Sequence, residues 1–142
     1  MSEKGMPRTA DDRFEAAKTI VEEMTGAGIP LSDIYLDPVV SPVSAEPEAA
    51  MMVLETIHRV MTEFKGVHTI CGLSNVSYGL PQRKLLNQTF FVMCTAAGLD
   101  GVILDPLDAR IMSNLYAGLA LTGKDEFCIN YLGKSRENKL VV

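Results

Sequence analysis

Three short apolar runs recur at near-constant spacing, and this limits what the chain can fold into. They are Ile34-Tyr35-Leu36, Thr69-Ile70-Cys71-Gly72-Leu73 and Val102-Ile103-Leu104, with starts 35 and 33 residues apart. None alternates polar and apolar residues, as a strand with one wet face would. Unbroken apolar character suits parallel strands covered on both faces. Parallel neighbours need a crossover of a dozen or more residues, usually a helix, and the intervals leave room for one. The pattern therefore predicts an α/β fold with a repeated strand–helix unit.

The intervals carry helix signals. Thr9 with Asp12 predicts a capping box, followed by an apolar face of Phe14, Ala17, Ile20, Val21 and Met24, with Gly26 and Gly28 as the stop. A second helix is expected from about Pro47, with Ala49, Met52, Val53, Ile57, Val60 and Phe64 inward and Gly66 at its end. A third is expected over Arg83 to Ala97, with Leu86, Phe90, Met93 and Ala97 inward. A fourth runs from about Asp108 to Gly123, and a short last one from Glu126 to Leu132, before a polar, frayed tail. No strand precedes the first helix unless Met1 to Gly5 is the end of one. A closed eight-stranded barrel needs ~250 residues, and at 142 this chain cannot close one alone.

Composition removes several function classes. The formal net charge of −5 argues against a nucleic-acid partner, because phosphate binding needs clustered Lys and Arg. No apolar run approaches the length of a membrane span, and the first residues lack the apolar stretch of a secretory signal. Cys71, Cys94 and Cys128 form no CxxC pair and are expected as reduced core thiols of a cytoplasmic protein. His58 and His68 lack metal-ligand spacing, so surface or boundary roles are expected for both. Gly26-Ala-Gly-Ile-Pro30 follows a helix and lacks a GK[ST] ending, so it is not a phosphate loop.

In parallel α/β folds ligands bind beyond the carboxyl ends of the strands. The residues following the three runs gather polar groups: Asp37, then Ser74, Asn75, Ser77 and Arg83, then Asp105 and Asp108. A carboxylate such as Asp37 can accept two parallel hydrogen bonds from a planar donor pair, or simply open an Asx turn before proline. Asn75 offers a neutral amide able to donate or accept, or serves as a turn residue. Arg83 near a helix start opposes the helix dipole, which points to an anionic partner, to an ion pair with Asp105, or to solvent. Asp105 either faces the site or holds Arg83, and Asp108 suits an N-cap.

At Gly72-Leu-Ser-Asn-Val-Ser77 the chain resembles the seventh-strand signature of the methyltetrahydrofolate:corrinoid/iron-sulfur protein methyltransferase family. The related folate module of cobalamin-dependent methionine synthase is similar. Ile34-Tyr-Leu-Asp-Pro38 resembles the family's sixth strand. Arg83 to Thr89 and Ala96 to Pro106 resemble its seventh helix and eighth strand, and Met1 to Gly5 the end of its fifth strand.

The resemblance implies that residues 1–142 form the C-terminal half of a TIM-type (β/α)₈ pterin-binding barrel, from about the end of strand five to helix eight. It implies methyl transfer between N5 of methyltetrahydrofolate and the cobalt of a cobalamin-type corrinoid on a partner protein, with no metal of the chain's own. Asp37 matches the carboxylate that binds the pterin, and Asn75 the asparagine near N5 that supports the transition state. Arg83 matches a family position beside the site. Ser74 and Asp105 join them as substrate-binding candidates. Tyr78 stands where several relatives carry glutamine or phenylalanine, a departure confined to the loop. The family's first four strands, with a second pterin-binding carboxylate, have no counterpart here.

Unpaired sheet edges favour association, so a homo-oligomer is expected. Two readings from other classes stand beside this one. One is a non-catalytic folate- or corrinoid-protein-binding half-module. The other is a barrel enzyme for a phosphorylated substrate, which would want a Gly-rich loop that Gly79 alone does not supply.

Overall fold

The computed structural model describes residues 7–141. Three strands, β1 (Tyr35–Leu36), β2 (His68–Gly72) and β3 (Gly101–Ile103), form one sheet in the order β1-β2-β3. Both pairings are parallel, with Leu36 opposite Thr69 and Cys71 opposite Val102. The strands lie within a residue of the apolar runs. Leu73 leaves the second run to open a turn of 3₁₀ helix, Leu73–Ser77.

The described residues form five α-helices: α1 (Ala10–Gly26), α2 (Ala49–Glu63), α3 (Arg83–Ala97), α4 (Ala109–Leu121) and α5 (Ile129–Arg136). The capping box at α1 forms as expected. Asp12 N–H donates to Thr9 Oγ1 at 3.0 Å, and Thr9 N–H donates to Asp12 Oδ2 at 3.1 Å. Each satisfies a main-chain donor that the helix start leaves free, an effect typically worth ~1 kcal/mol. α2 begins two residues after Pro47, with Glu48 as its cap position. Asp108 caps α4, accepting from the N–H groups of Arg110 and Ile111.

Packing rotates two of the expected apolar faces. In α1, Ile20 is exposed and Arg13 takes a place in the buried stripe with Ala10, Ala17 and Val21. In α3, Phe90, Phe91, Cys94 and Thr95 are buried while Met93 is exposed, because α3 packs against both α2 and α4 and so buries a wider arc. The larger core cluster joins Val53 and Ile57 of α2 to Cys71, Phe90, Phe91, Cys94 and Ile111. The smaller joins Ala17 and Val21 to Ile34, Leu36, Val60 and Val67. Cys71 and Cys94 are core thiols, as expected. The hydrogen-bonded Cys71 neighbour and burial push the Cys94 thiol far above the ordinary thiol range. Cys128 departs from that reading: it is half-exposed, at the start of α5 with a φ of 56°.

One sheet face is covered and the other is not. Leu36, Thr69 and Cys71 are buried beneath the helices, whereas Tyr35 and Ile103 on the opposite face are 57% and 65% exposed. Tyr35 stacks on His68 there, with ring centroids 4.7 Å apart. His68 is more than a boundary residue: its Nδ1 bonds Asp100 Oδ2, and Asp100 Oδ1 accepts Thr69 N–H at 2.8 Å, tying the entrances of β2 and β3. The first residues, Met1 to Gly5, expected as the end of a strand, lie outside the described residues.

The tail is more ordered than its polarity implies. α5 runs on to Arg136, and Val141 N–H donates to Ser113 Oγ at 2.8 Å. Asp125 organises this end, accepting from the N–H groups of Asn130 and Tyr131 and from the Asn130 amide. Those main-chain donors hold its carboxyl below the usual aspartate range. A carboxyl whose folded pKa is lowered stabilises the fold above its unfolded value of ~3.9, and that contribution fades as pH falls through the folded value. Amide exchange at Asn130 and Tyr131 should therefore stay protected down to about pH 4 and speed up below it. In Asp125→Asn the protection should be weak at every pH, and an unchanged profile in that variant would exclude the role.

Candidate functional site

Because all three strands run parallel, their carboxyl ends share one edge of the sheet, and the segments that follow them form one rim. Asp37 follows β1. Ser74 and Asn75 lie in the 3₁₀ turn after β2, Arg83 opens α3, and Asp105 follows β3. Cross-bonds draw the first two segments together. Val43 N–H donates to the Val76 carbonyl at 3.0 Å, and Ser44 Oγ donates to the Tyr78 carbonyl at 2.7 Å. Gln88 of α3 reaches the third segment, donating from Nε2 to Asp108 at 3.0 Å. Burial pushes the Asp108 carboxyl up, but the bonds from Gln88 and from the N–H groups of Ile111 and Arg110 prevail and hold it below the usual range.

Asp37 and Asp105 sit in matching Asp-Pro-X turns. Val39 N–H donates to Asp37 Oδ1 at 2.8 Å, and Leu107 N–H to Asp105 Oδ1 at 2.9 Å. Both are Asx turns, so the local reading of each aspartate is realised. Each carboxylate keeps its Oδ2 free of protein partners among the described residues. The first turn is strained: Val39 has a φ of 58°, a region that β-branched residues rarely adopt.

Asn75 is exposed, and its side-chain amide makes no hydrogen bond within the described residues. It lies over the end of β2, its Nδ2 3.9 Å from where a β-carbon on Gly72 would stand. Its carbonyl closes the turn by accepting from Tyr78 N–H at 3.1 Å.

Arg83 forms no ion pair with Asp105. It turns back on the β2 segment, donating from Nη2 to the Ser74 carbonyl at 2.8 Å and from Nε to Ser77 Oγ at 3.0 Å. Ser77, fully buried, passes the network on by donating to Asn87 Oδ1 at 2.7 Å. These bonds offset the cost of a cation at a helix start. The turn bearing Ser74 and Asn75 is thus braced by two residues one helical turn apart.

Asn87 and Arg13 shape this rim without standing in a motif. Asn87 lies four residues after Arg83, hence on the same helix face, which is the signal it offers. Arg13 shows itself only as a charge inside an apolar helical stripe.

Residues 1–105 match the family model described as pterin binding enzyme. The chain belongs to that family. It is similar to a methylcorrinoid:tetrahydrofolate methyltransferase of Eubacterium limosum, 32% identical over 136 residues, which is 96% of this chain and 50% of that protein. It is also similar to the methionine synthase of Mycobacterium tuberculosis, 32% identical over 111 residues, covering 73% of this chain and 9% of that protein. The methionine synthase of Mycobacterium leprae is 29% identical over the same length. The chain therefore spans about half the length of the first relative and under a tenth of the other two. An α/β fold with parallel strands agrees with part of a pterin-binding barrel.

Removing the Ser77 hydroxyl leaves Arg83 Nε and Asn87 Oδ1 without their partner. Ser77→Ala should lower stability by about 1–3 kcal/mol in urea unfolding. A loss within error would mean the brace is not formed in solution.

Proposed function

We propose that this chain is the C-terminal half of a (β/α)₈ pterin-binding barrel. In this reading it takes part in cytoplasmic methyl transfer between N5 of methyltetrahydrofolate and the cobalt of a corrinoid protein. The observation that carries it is the shared rim in a pterin-family chain, where Asp37 has a free carboxylate oxygen and Asn75 an unpaired amide. A pterin presents a flat N3–H and 2-amino donor pair, which a fixed carboxylate can accept in parallel. The donor and acceptor set of the rim therefore suits a pterin.

When the methyl group leaves, the C–N5 bond breaks and its electron pair returns to nitrogen. A neutral tertiary amine is a poor leaving group, so N5 must gain a proton or a hydrogen bond as the bond lengthens. Asn75 is the group for this. Its amide accepts from a protonated N5 or donates to the developing lone pair, without adding a fixed charge that would favour only one of the two states. The partner's corrinoid cobalt accepts or supplies the methyl group, and the same side chains serve both directions. Ser74 and Asp105 line the rim beside the pterin. Arg83 holds the Asn75 turn through Nε and Nη2.

Asn75→Ala should lower the methyl-transfer rate, followed through the corrinoid's visible absorbance, far more than it lowers methyltetrahydrofolate affinity. Asp37→Asn should weaken that affinity, read by calorimetry. No heat of binding to the native chain would sink the folate reading. Binding without turnover would favour the non-catalytic half-module.

The exposed sheet face bearing Tyr35 and Ile103, with no further strand beside β1 or β3 among the described residues, supports self-association, since parallel sheets are normally covered on both sides. Light scattering should give a solution mass of at least two chains, with methyltetrahydrofolate favouring the assembled form. A monomer under both conditions would remove the homo-oligomer.

A further inference from the structure

Arg13 is buried to 5% exposure in the apolar stripe of α1. A guanidinium has five N–H donors. Here Nη1 donates to the Pro38 carbonyl at 3.2 Å, while Nε is buried with no partner. No carboxylate lies within ion-pair distance of Arg13 among the described residues. Only Nε is fully buried without a partner, so the guanidinium keeps some solvent contact. Holding a cation in an apolar stripe with one neutral carbonyl as its protein partner still carries a desolvation cost that an apolar side chain of similar length would not. Stability alone does not account for this residue.

What it touches does. Pro38 is the middle of the Asp37-Pro38-Val39 turn, and it has no N–H, so its carbonyl is the turn's central main-chain handle. The turn is strained at Val39, with its φ of 58°, and strained backbone persists only where its surroundings over-determine it. Two bonds do so: Val39 N–H to Asp37 Oδ1 from within, and Arg13 from the helix. The Asp105-Pro106-Leu107 turn provides an internal comparison. It has the same Asx bond, but Leu107 is not left-handed and no helix cation holds Pro106. The clamp is particular to the turn that carries Asp37.

We propose that Arg13 is a positioning residue that acts through Asp37. By holding the Pro38 carbonyl it fixes the direction of the Asp37 carboxylate, which a two-bond contact to a planar ligand requires. The inference rests on the pterin reading of Asp37. Arg13 touches no substrate. Its loss should raise the KM for methyltetrahydrofolate and leave kcat, which depends on Asn75, nearly unchanged.

A double-mutant cycle on the full chain tests it. Arg13→Met should weaken methyltetrahydrofolate binding about tenfold in calorimetry, a loss typical for a hydrogen bond from a charged group. Arg13→Lys, which can still reach the carbonyl with one donor, should lose less. In an Asp37→Asn background, Arg13→Met should make no further difference. Equal losses in both backgrounds would mark Arg13 as merely structural and overturn the proposal. If Arg13→Met does not fold, Arg13→Lys carries the same cycle. A second readout needs no ligand: amide exchange at Val39, followed by NMR, should quicken in the Arg13 variants. Unchanged exchange there overturns the clamp even if folate binds. Quickened exchange in a chain that binds no methyltetrahydrofolate sinks the pterin reading and leaves the clamp standing.

Discussion

Parallel pairing of three very short strands is the constraint from which the rest follows. β1 has two residues, β2 five and β3 three, yet their register aligns Leu36 with Thr69 and Cys71 with Val102. Side chains alternate faces along a strand, so this register turns Leu36, Thr69, Cys71 and Val102 toward the helices together. A one-residue slip would put them on the bare face and expose the core. The same parallel sense brings every strand-to-helix segment to one edge. Without it, Asp37, Asn75 and Asp105 would be unrelated turn residues.

Such short strands cannot hold a rim by ladder bonds alone, and side chains from the helices do the rest. Arg13 of α1 holds the first segment, Arg83 and Asn87 of α3 hold the second, and Gln88 of α3 holds the third. Val43 and Ser44 then fasten the first to the second. Long-range bonds of this kind fix the main chain that carries the exposed polar groups. A site that discriminates by geometry depends on that fixation more than on the number of its polar groups.

The two groups most central to the proposed chemistry differ in how they are kept. Asp37 is held through its own carboxylate, at the cost of strain at Val39. Asn75 has its main chain bound and its amide free, on a turn anchored by the buried Ser77 hydroxyl. A fixed acceptor suits a ligand edge that does not change during reaction. An amide free to reorient suits an atom whose charge does change.

Much of this was written locally. The apolar runs at 34–36, 69–73 and 102–104, the Thr9–Asp12 capping box, the Asp108 cap and the span of α3 follow from short-range rules, because backbone geometry and hydrogen bonding within a few residues decide them. The polar residues after each run were legible for the same reason, as was the Gly72 to Ser77 signature. Other features were not. Ile20 fits the apolar face of α1 yet lies exposed, while the charged Arg13 lies inside, since which part of an amphipathic arc is buried depends on the neighbour it meets. Arg83 offered anion, aspartate or solvent as partners, and only the return of α3 across the sheet settled on Ser74 and Ser77. His68 and Asp100 are 32 residues apart and meet because β2 and β3 pair. The sequence by itself determined the elements, their order and the kinds of chemical group at the strand ends, all set by local periodicity and turn chemistry. The tertiary structure alone decided which groups are clamped and which are left free, because that depends on contacts between segments far apart in the chain.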